Sequence, residues 1–312
     1  MRTMLSHLKT VVYRRPKDKF LRLLRWGPRA YFRCDAWAKQ MEMSVASLPI
    51  PNGQSSETIS CWFLTGQRFW YQTAYCAWTL AKHSKCKIEL NLVDDGSLSE
   101  EYESRLRRLF PNGITVNKTS VADRINDLLP VSKFPVLRNR WNDYINIRKL
   151  IDVHLGSTGT KLVLDSDMLF FGRPQHLMDW LSKPTSLCLM TDCQESYGYT
   201  RPLMESLCGE TIPEKLNVGI CGLRSEDLDW QELEHWCQQL HAAEGTSYYL
   251  EQALVAMLAA RSNSLSVMPP ADYITFPTEE QVDLKAGVLQ HYVADSKPWY
   301  FGKAWKNLAT NV

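Results

Sequence analysis

Apolar positions change their spacing at residue 58. From there on, short runs of apolar and β-branched residues alternate with stretches of helical period. Residues 58–64, 88–93 and 114–116 read as strands, and residues 71–83 as a helix. The first strand closes on Thr65-Gly66-Gln67 and the second on Asp94-Asp95-Gly96-Ser97. Ser97, three residues before Glu100, has the form of a capping box and opens a helix that runs through Arg108. Residues 143–155 place Tyr144, Ile147 and Ile151 at helical spacing, with Arg148 and Lys149 beside them, and Gly156 stops that helix. Further strands are expected at 161–171, 186–190, 216–223 and 288–291, with a helix at 248–261. Successive strand–helix units predict an α/β fold with a mainly parallel central sheet flanked by helices and ligands at the carboxyl ends of its strands. Thr65, Asp94, Asp95 and Asp165 all fall at such ends.

The apolar run 161–171 is interrupted by Asp165 and Asp167, one residue apart. On an extended chain both point to one side, so their oxygens can converge on a hard divalent cation such as Mn²⁺ or Mg²⁺. An isolated Asp-x-Asp also serves as a strand-to-loop turn, and Asp94-Asp95 before Gly96 is a respectable helix start. Other stretches bring further polar groups into apolar surroundings: Asp192 follows one strand, Asn217 sits in the glycine-spaced run 216–223, and Glu251-Gln252 open the helix at 248–261. His291 ends the last strand, with Lys297 six residues on. Neutral imidazole can join two carboxylates on a metal, while ammonium neutralises phosphate oxygens.

Composition is ordinary for a globular protein, with 45% hydrophobic and 22% charged residues in a chain of 312. The net charge of +2 hides an asymmetry. Residues 1–40 hold eleven basic and two acidic residues, leaving 25 basic and 32 acidic in the remaining 272. Within the basic part, residues 19–26 set Phe20, Leu21, Leu24 and Trp26 among Arg22 and Arg25, with Arg29 following, a basic amphipathic helix ended by Gly27-Pro28. Such a helix either lies on anionic lipid or another anionic partner, or packs on the α/β unit with solvated arginines. The turn-rich segment 47–57 reads as a linker, which divides the chain into a basic extension at 1–57 and an α/β domain at 58–312. No run reaches the apolar length of a membrane span and the start lacks a signal-peptide core, so the expected location is cytoplasmic, with peripheral contact at the inner face of a membrane. The nine cysteines never form Cys-x-x-Cys and read as buried thiols. The basic excess is confined to the first forty residues and matches no nucleic-acid module.

The order of the Asp-x-Asp strand, Leu216-Asn217-Val218-Gly219 and the stretch from His291 through Lys297 to Trp299 resembles the retaining glycosyltransferases of family 8, the glycogenin and bacterial lipopolysaccharide galactosyltransferase group. The resemblance spans residues 59–299. It implies a GT-A nucleotide-diphospho-sugar transferase fold, a UDP-sugar donor, Mn²⁺ or Mg²⁺, and hexose transfer with retention to a glycan, lipid or protein acceptor. By position it implies that Asp165, Asp167 and His291 hold the metal, with Asp165 also on the donor side, that Lys297 meets the diphosphate, and that Thr65 lies near the nucleoside. Lys149, Asp192 and Asn217 would face phosphate or donor sugar, and Glu251-Gln252 would stand beside the reacting sugar. Two positions depart from the pattern: Ala294 replaces a glycine and Glu251 an aspartate. Retention is compatible with attack on the departing face or with a double displacement through Glu251. A sugar nucleotidyltransferase would use a metal on a similar sheet, but Thr65-Gly66-Gln67-Arg68 is a poor phosphate loop. A nucleotide-sugar-binding protein without turnover is the other alternative.

Overall fold

The computed structural model describes residues 15–51 and 55–309. The first element is α1 (Arg15–Ser44), kinked where Gly27, at φ 74°, leaves the helical region just before Pro28. The break falls where the sequence ends the basic helix. Two strand–helix units follow, with β1 (Thr58–Thr65), α2 (Trp70–Ser84), β2 (Lys87–Asp94), α3 (Glu100–Leu109) and β3 (Thr115–Val116). Three helices, α4 (Lys118–Leu128), α5 (Pro135–Asp143) and α6 (Arg148–His154), precede β4 (Thr160–Leu164) and β5 (Met168–Phe170). The second half runs α7 (Gln175–Ser182), β6 (Leu187–Thr191), α8 (Arg201–Cys208), β7 (Leu216–Arg224), α9 (Trp230–Glu244) and α10 (Leu250–Arg261). It continues with β8 (Leu265–Val267), β9 (Tyr273–Thr275), α11 (Glu279–Asp283) and β10 (Leu289–His291).

Seven strands form the central sheet in the order β3-β2-β1-β4-β7-β6-β8. Only β7 runs antiparallel to its neighbours β4 and β6, and the other pairs are parallel. This reversal places the start of β7 at the edge where β1, β2, β4 and β6 end. A second sheet, β5-β10-β9, stands beside it.

Residues 161–171, expected as one strand, divide between the two sheets. The Asp165 amide makes the last ladder bond, to the Gly219 carbonyl at 2.9 Å, and the Asp167 carbonyl then accepts from the Tyr292 amide at 2.9 Å beside the second sheet. An ionisable side chain has no place inside a ladder buried on both faces, so the chain leaves one sheet for the other at the carboxylates. The helix expected at 143–155 is likewise two pieces, a 3₁₀ turn at Ile145–Ile147 and then α6.

The expected cap at Ser97 is corrected to Ser99, whose side chain accepts from the Tyr102 amide. The reason is local. Asp94 accepts from the Gly96 and Leu98 amides and Asp95 from the Ser97 amide and hydroxyl, so this stretch is committed to Asx turns before the helix begins.

The sheet separates two apolar clusters. On β1, Ile59, Cys61 and Phe63 enter one cluster while Trp62 and Leu64 pack against the other, as period-2 alternation requires. The first cluster takes in α2, which is buried almost all round, and also Cys34, Met41, Val45 and Leu48 from the segment ahead of the linker. Polar ties reinforce that packing: Trp70 Nε1 donates to Glu42 at 3.0 Å, the Ser44 and Tyr75 hydroxyls lie 2.7 Å apart, and Arg108 Nη2 donates to the Val45 carbonyl at 2.9 Å. Eight of the nine cysteines are buried and none is paired. Among the described residues, no helix is long and apolar enough to cross a membrane.

Candidate active site

Strand order decides which side chains meet. Thr65 is in register with Asp94 across β1 and β2, and Leu164, just before Asp165, pairs with Ile220 of β7. Thr191, at the end of β6, pairs with Leu216, which brings Asp192 beside Asn217. In the second sheet His291 pairs with Met168, so it stands next to Asp167.

Asp165, Asp167 and His291 form a compact group in which one ligand atom of each lies within 4.8 Å of the others. His291 Nε2 is 3.2 Å from Asp167 Oδ1 and 3.6 Å from Asp165 Oδ2. Its other nitrogen, Nδ1, is 3.2 Å from Asn217 Oδ1. That oxygen also accepts from the Gly219 amide at 2.8 Å, which fixes the orientation of the Asn217 amide and makes Nδ1 the protonated nitrogen. The Nε2 of neutral His291 therefore turns a lone pair toward two carboxylates. Three electron-rich atoms at this separation need a positive charge among them, supplied either by protonating the ring or by a cation. The residues thus fit a hard divalent ion, with two carboxylate ligands and one imidazole whose second nitrogen is already oriented.

Electrostatics follow the same logic. Burial works against a charged Asp167, but Lys297, whose Nζ is 2.5 Å from Oδ2, and then His291 hold its carboxyl well below the usual carboxylate range. Burial also disfavours the His291 imidazolium, and the neighbouring Asp167 outweighs it, raising the pKa.

Lys149 sits between two acids, 3.0 Å from Asp165 Oδ1 and 2.9 Å from Glu251 Oε2. Burial opposes its charge, but the two carboxylates win and hold the ammonium firmly protonated. One lysine cannot neutralise both acids. Burial, opposed by Lys149 and reinforced by Asp165, pushes Glu251 up to about 7. Helix α6 aims Lys149 because the wholly buried Arg148 next to it is anchored, pairing with Asp152 at 2.6 Å and donating to the Asp94 carbonyl.

Asp192 collects the remaining polar groups: its Oδ2 accepts from Asn217 Nδ2 at 3.1 Å and from Gln252 Nε2 at 3.2 Å. Gln252 Nε2 also donates to the Leu216 carbonyl at 2.8 Å, which uses both its hydrogens and leaves Oε1 as the atom that can meet a substrate. Thr65 is fully buried, and its hydroxyl accepts from Thr73, which is 2.8 Å from Ser166 between the two aspartates. It braces the strand end behind the two aspartates. The residues singled out in the sequence therefore form one connected group, from Thr65 through Ser166 to Lys149, Glu251, Asp192 and Lys297.

Four supporting residues escape sequence reasoning. Gly219 lacks a side chain where a Cβ would stand 2.6 Å from His291 Nδ1, and the glycine spacing of β7 is a signal for it. Tyr144, Thr73 and Ser166 give none. Tyr144 donates to the Tyr248 carbonyl at 2.5 Å and accepts from the Glu251 amide at 3.4 Å, fixing the start of α10.

No protein-family model and no curated protein matches the sequence. Solved structures do match. Mouse xyloside xylosyltransferase 1, in its apo form, aligns with 77% of this chain and 99% of its own at 14% identity and a TM-score of 0.51. The apo bifunctional glycosyltransferase WbbM aligns with 82% of this chain at 12% identity and a TM-score of 0.55, over 51% of its own length, so this chain spans about half of that protein. The galactosyltransferase LgtC, with donor and acceptor sugar analogues, aligns with 81% of this chain and 96% of its own at 14% identity and a TM-score of 0.48. With a mostly parallel seven-stranded sheet flanked by helices, the chain has the GT-A fold of glycosyltransferases.

Proposed function

We propose that this chain is a metal-dependent hexosyltransferase that takes its sugar from a nucleotide-diphospho-sugar, a UDP-sugar, and passes it to a hydroxyl acceptor with retention of configuration. The observation that carries the reading is the Asp165, Asp167 and His291 group with Lys297 against it, set at the carboxyl edge of a GT-A sheet. Asp165, Asp167 and His291 would hold Mn²⁺ or Mg²⁺, which would supply charge stabilisation to a departing diphosphate. Lys297 shares Asp167 and adds a compact positive charge for a phosphate oxygen.

The residues on the other side of the site bear on how retention arises. A double displacement needs Glu251 as a free carboxylate, but Glu251 is buried, its pKa is pushed up to about 7, and it is bonded to Lys149. At neutral pH part of it is protonated and its charged form is tied to Lys149, so little free carboxylate is available to attack. Gln252 directs a neutral carbonyl oxygen outward, with its nitrogen held by Asp192 and the Leu216 carbonyl. A carbonyl dipole suits the positive charge that grows on the sugar as its anomeric C–O bond breaks. The arrangement favours a single displacement in which the acceptor oxygen attacks from the departing face and its proton passes to the leaving phosphate. Lys149 and Asn217 then hold Asp165, Glu251 and Asp192 in place for the donor sugar.

The exposed Arg22, Leu24 and Arg29 of α1 suit a second role, peripheral contact with an anionic membrane that brings the site to its acceptor. The test of the main reading is release of nucleoside diphosphate from a panel of nucleotide sugars, with Mn²⁺ or with chelator, and the product anomer read by NMR. One donor should turn over only with the cation, with its configuration kept. Release unaffected by chelator would overturn the metal assignment, and an inverted product would overturn retention.

A further inference from the structure

We infer that α1 is a positioning element of the site, which sets Lys297 through Trp26, Arg25 and Asp295. The inference rests on the glycosyltransferase reading only for what Lys297 binds.

Lys297 follows directly on a 3₁₀ turn, Ala294–Ser296. Ala294 lies at φ 44°, in the left-handed region that side-chain-bearing residues rarely adopt. Such a conformation is strained and persists where surrounding contacts impose it. The contacts come from α1. Asp295 Oδ1 accepts from Trp26 Nε1 at 2.9 Å, and its Oδ2 accepts from Arg25 Nη1 at 3.2 Å. Arg25 is 60% exposed in its side chain, so its ion pair is weak, and the part-buried indole bond is the firmer of the two.

On the other side of Lys297, the Trp37 ring of α1 lies so close to Gly302 that a Cβ there would stand 3.3 Å from it. Between these two grips, Lys297 Nζ sits 5.5 Å from the Tyr300 ring centre and 5.9 Å from that of Phe301. Helix α1 therefore holds the lysine-bearing segment both before and after Lys297. It also forms one wall of a cleft of about 1390 Å³ to which Arg22, Trp26, Ala294 and Lys297 all contribute. A basic extension that served only for attachment would have no reason to hold Asp295.

Two readouts on the full chain test this. The first needs no donor: ¹³C-dimethylated lysines are followed by NMR, with the Lys297 signal assigned from Lys297→Arg. Asp295→Asn and Trp26→Phe should both shift or broaden that signal while Mn²⁺ binding stays within twofold of wild type. The second is the affinity for UDP in the presence of Mn²⁺. Asp295→Asn should weaken it about tenfold, the scale of one charge-assisted hydrogen bond, and should have less than a twofold effect when added to Lys297→Ala. An unmoved Lys297 signal in both variants, or an Asp295→Asn effect that persists in full on Lys297→Ala, overturns the inference. A moved signal in a chain that binds no UDP upholds the positioning and instead removes the UDP donor from the proposed function.

Discussion

Asp167 has two basic partners, Lys297 at 2.5 Å and His291 at 3.2 Å, although another carboxylate stands two residues away. Its charge is the one the site most depends on. Asp167→Asn keeps the shape and removes one metal ligand, so the fold should survive. Donor turnover should fall on the order of a hundredfold or more, as when a main stabiliser of transition-state charge is lost, and an active, chelator-sensitive Asp167→Asn would contradict the assignment. Glu251 gives a pH signature. Its folded pKa of about 7 lies above its ordinary 4.5, so folding favours the protonated form. The associated stability is present below pH 4.5 and is lost as pH rises through 7, a change of about 3 kcal/mol at 1.36 kcal/mol per unit. Denaturant unfolding at pH 4.5 and pH 8 should show this loss in wild type and a smaller one in Glu251→Gln. Equal pH slopes in the two proteins would mean that Glu251 does not titrate in that window.

Strands β7 and β10 belong to different sheets and meet at Asn217, Gly219 and His291. Gly219→Ala should push the imidazole off its partners and weaken Mn²⁺ binding about tenfold, the lower end of what lost ligand support costs. Metal titration by calorimetry checks it, and an unchanged affinity would show that His291 is not a ligand. At this scale the sequence was informative where periodicity is long. The strands β1, β2 and β7 and the helix α10 stand out because each buries four or more residues, by alternation in β1 and in longer stretches in the others. Helix α4 buries only Val121 and Ile125, and β8 and β9 are three residues each, too short to show a period. The site itself was legible through its carboxylates, amides and His291, since polar groups inside apolar strands need a reason. The left-handed Ala294 and the grip of α1 on Asp295 were not, because both depend on partners about 270 residues apart in sequence.

Over the whole molecule, charge and chemistry are segregated. Residues 1–40 carry eleven basic residues and two acidic ones, while the rest of the chain is net acidic. If the exposed arginines meet a membrane, the full chain should co-sediment with vesicles rich in phosphatidylserine at low salt and release as salt rises, since screening sets in over about 10 Å at 0.1 M. Arg29→Gln should weaken that binding while sparing donor hydrolysis, and indifference to anionic vesicles at low salt would exclude the membrane contact. The central claim, a cation-dependent nucleotide-sugar site at Asp165, Asp167, His291 and Lys297, is tested most directly by thermal unfolding with a panel of nucleotide sugars, each with Mn²⁺ and with chelator. A matching donor at a hundred times its dissociation constant should add about 2.7 kcal/mol of stability with Mn²⁺ and almost none with chelator, whereas equal stabilisation in chelator, or none by any nucleotide sugar with Mn²⁺, would contradict the account.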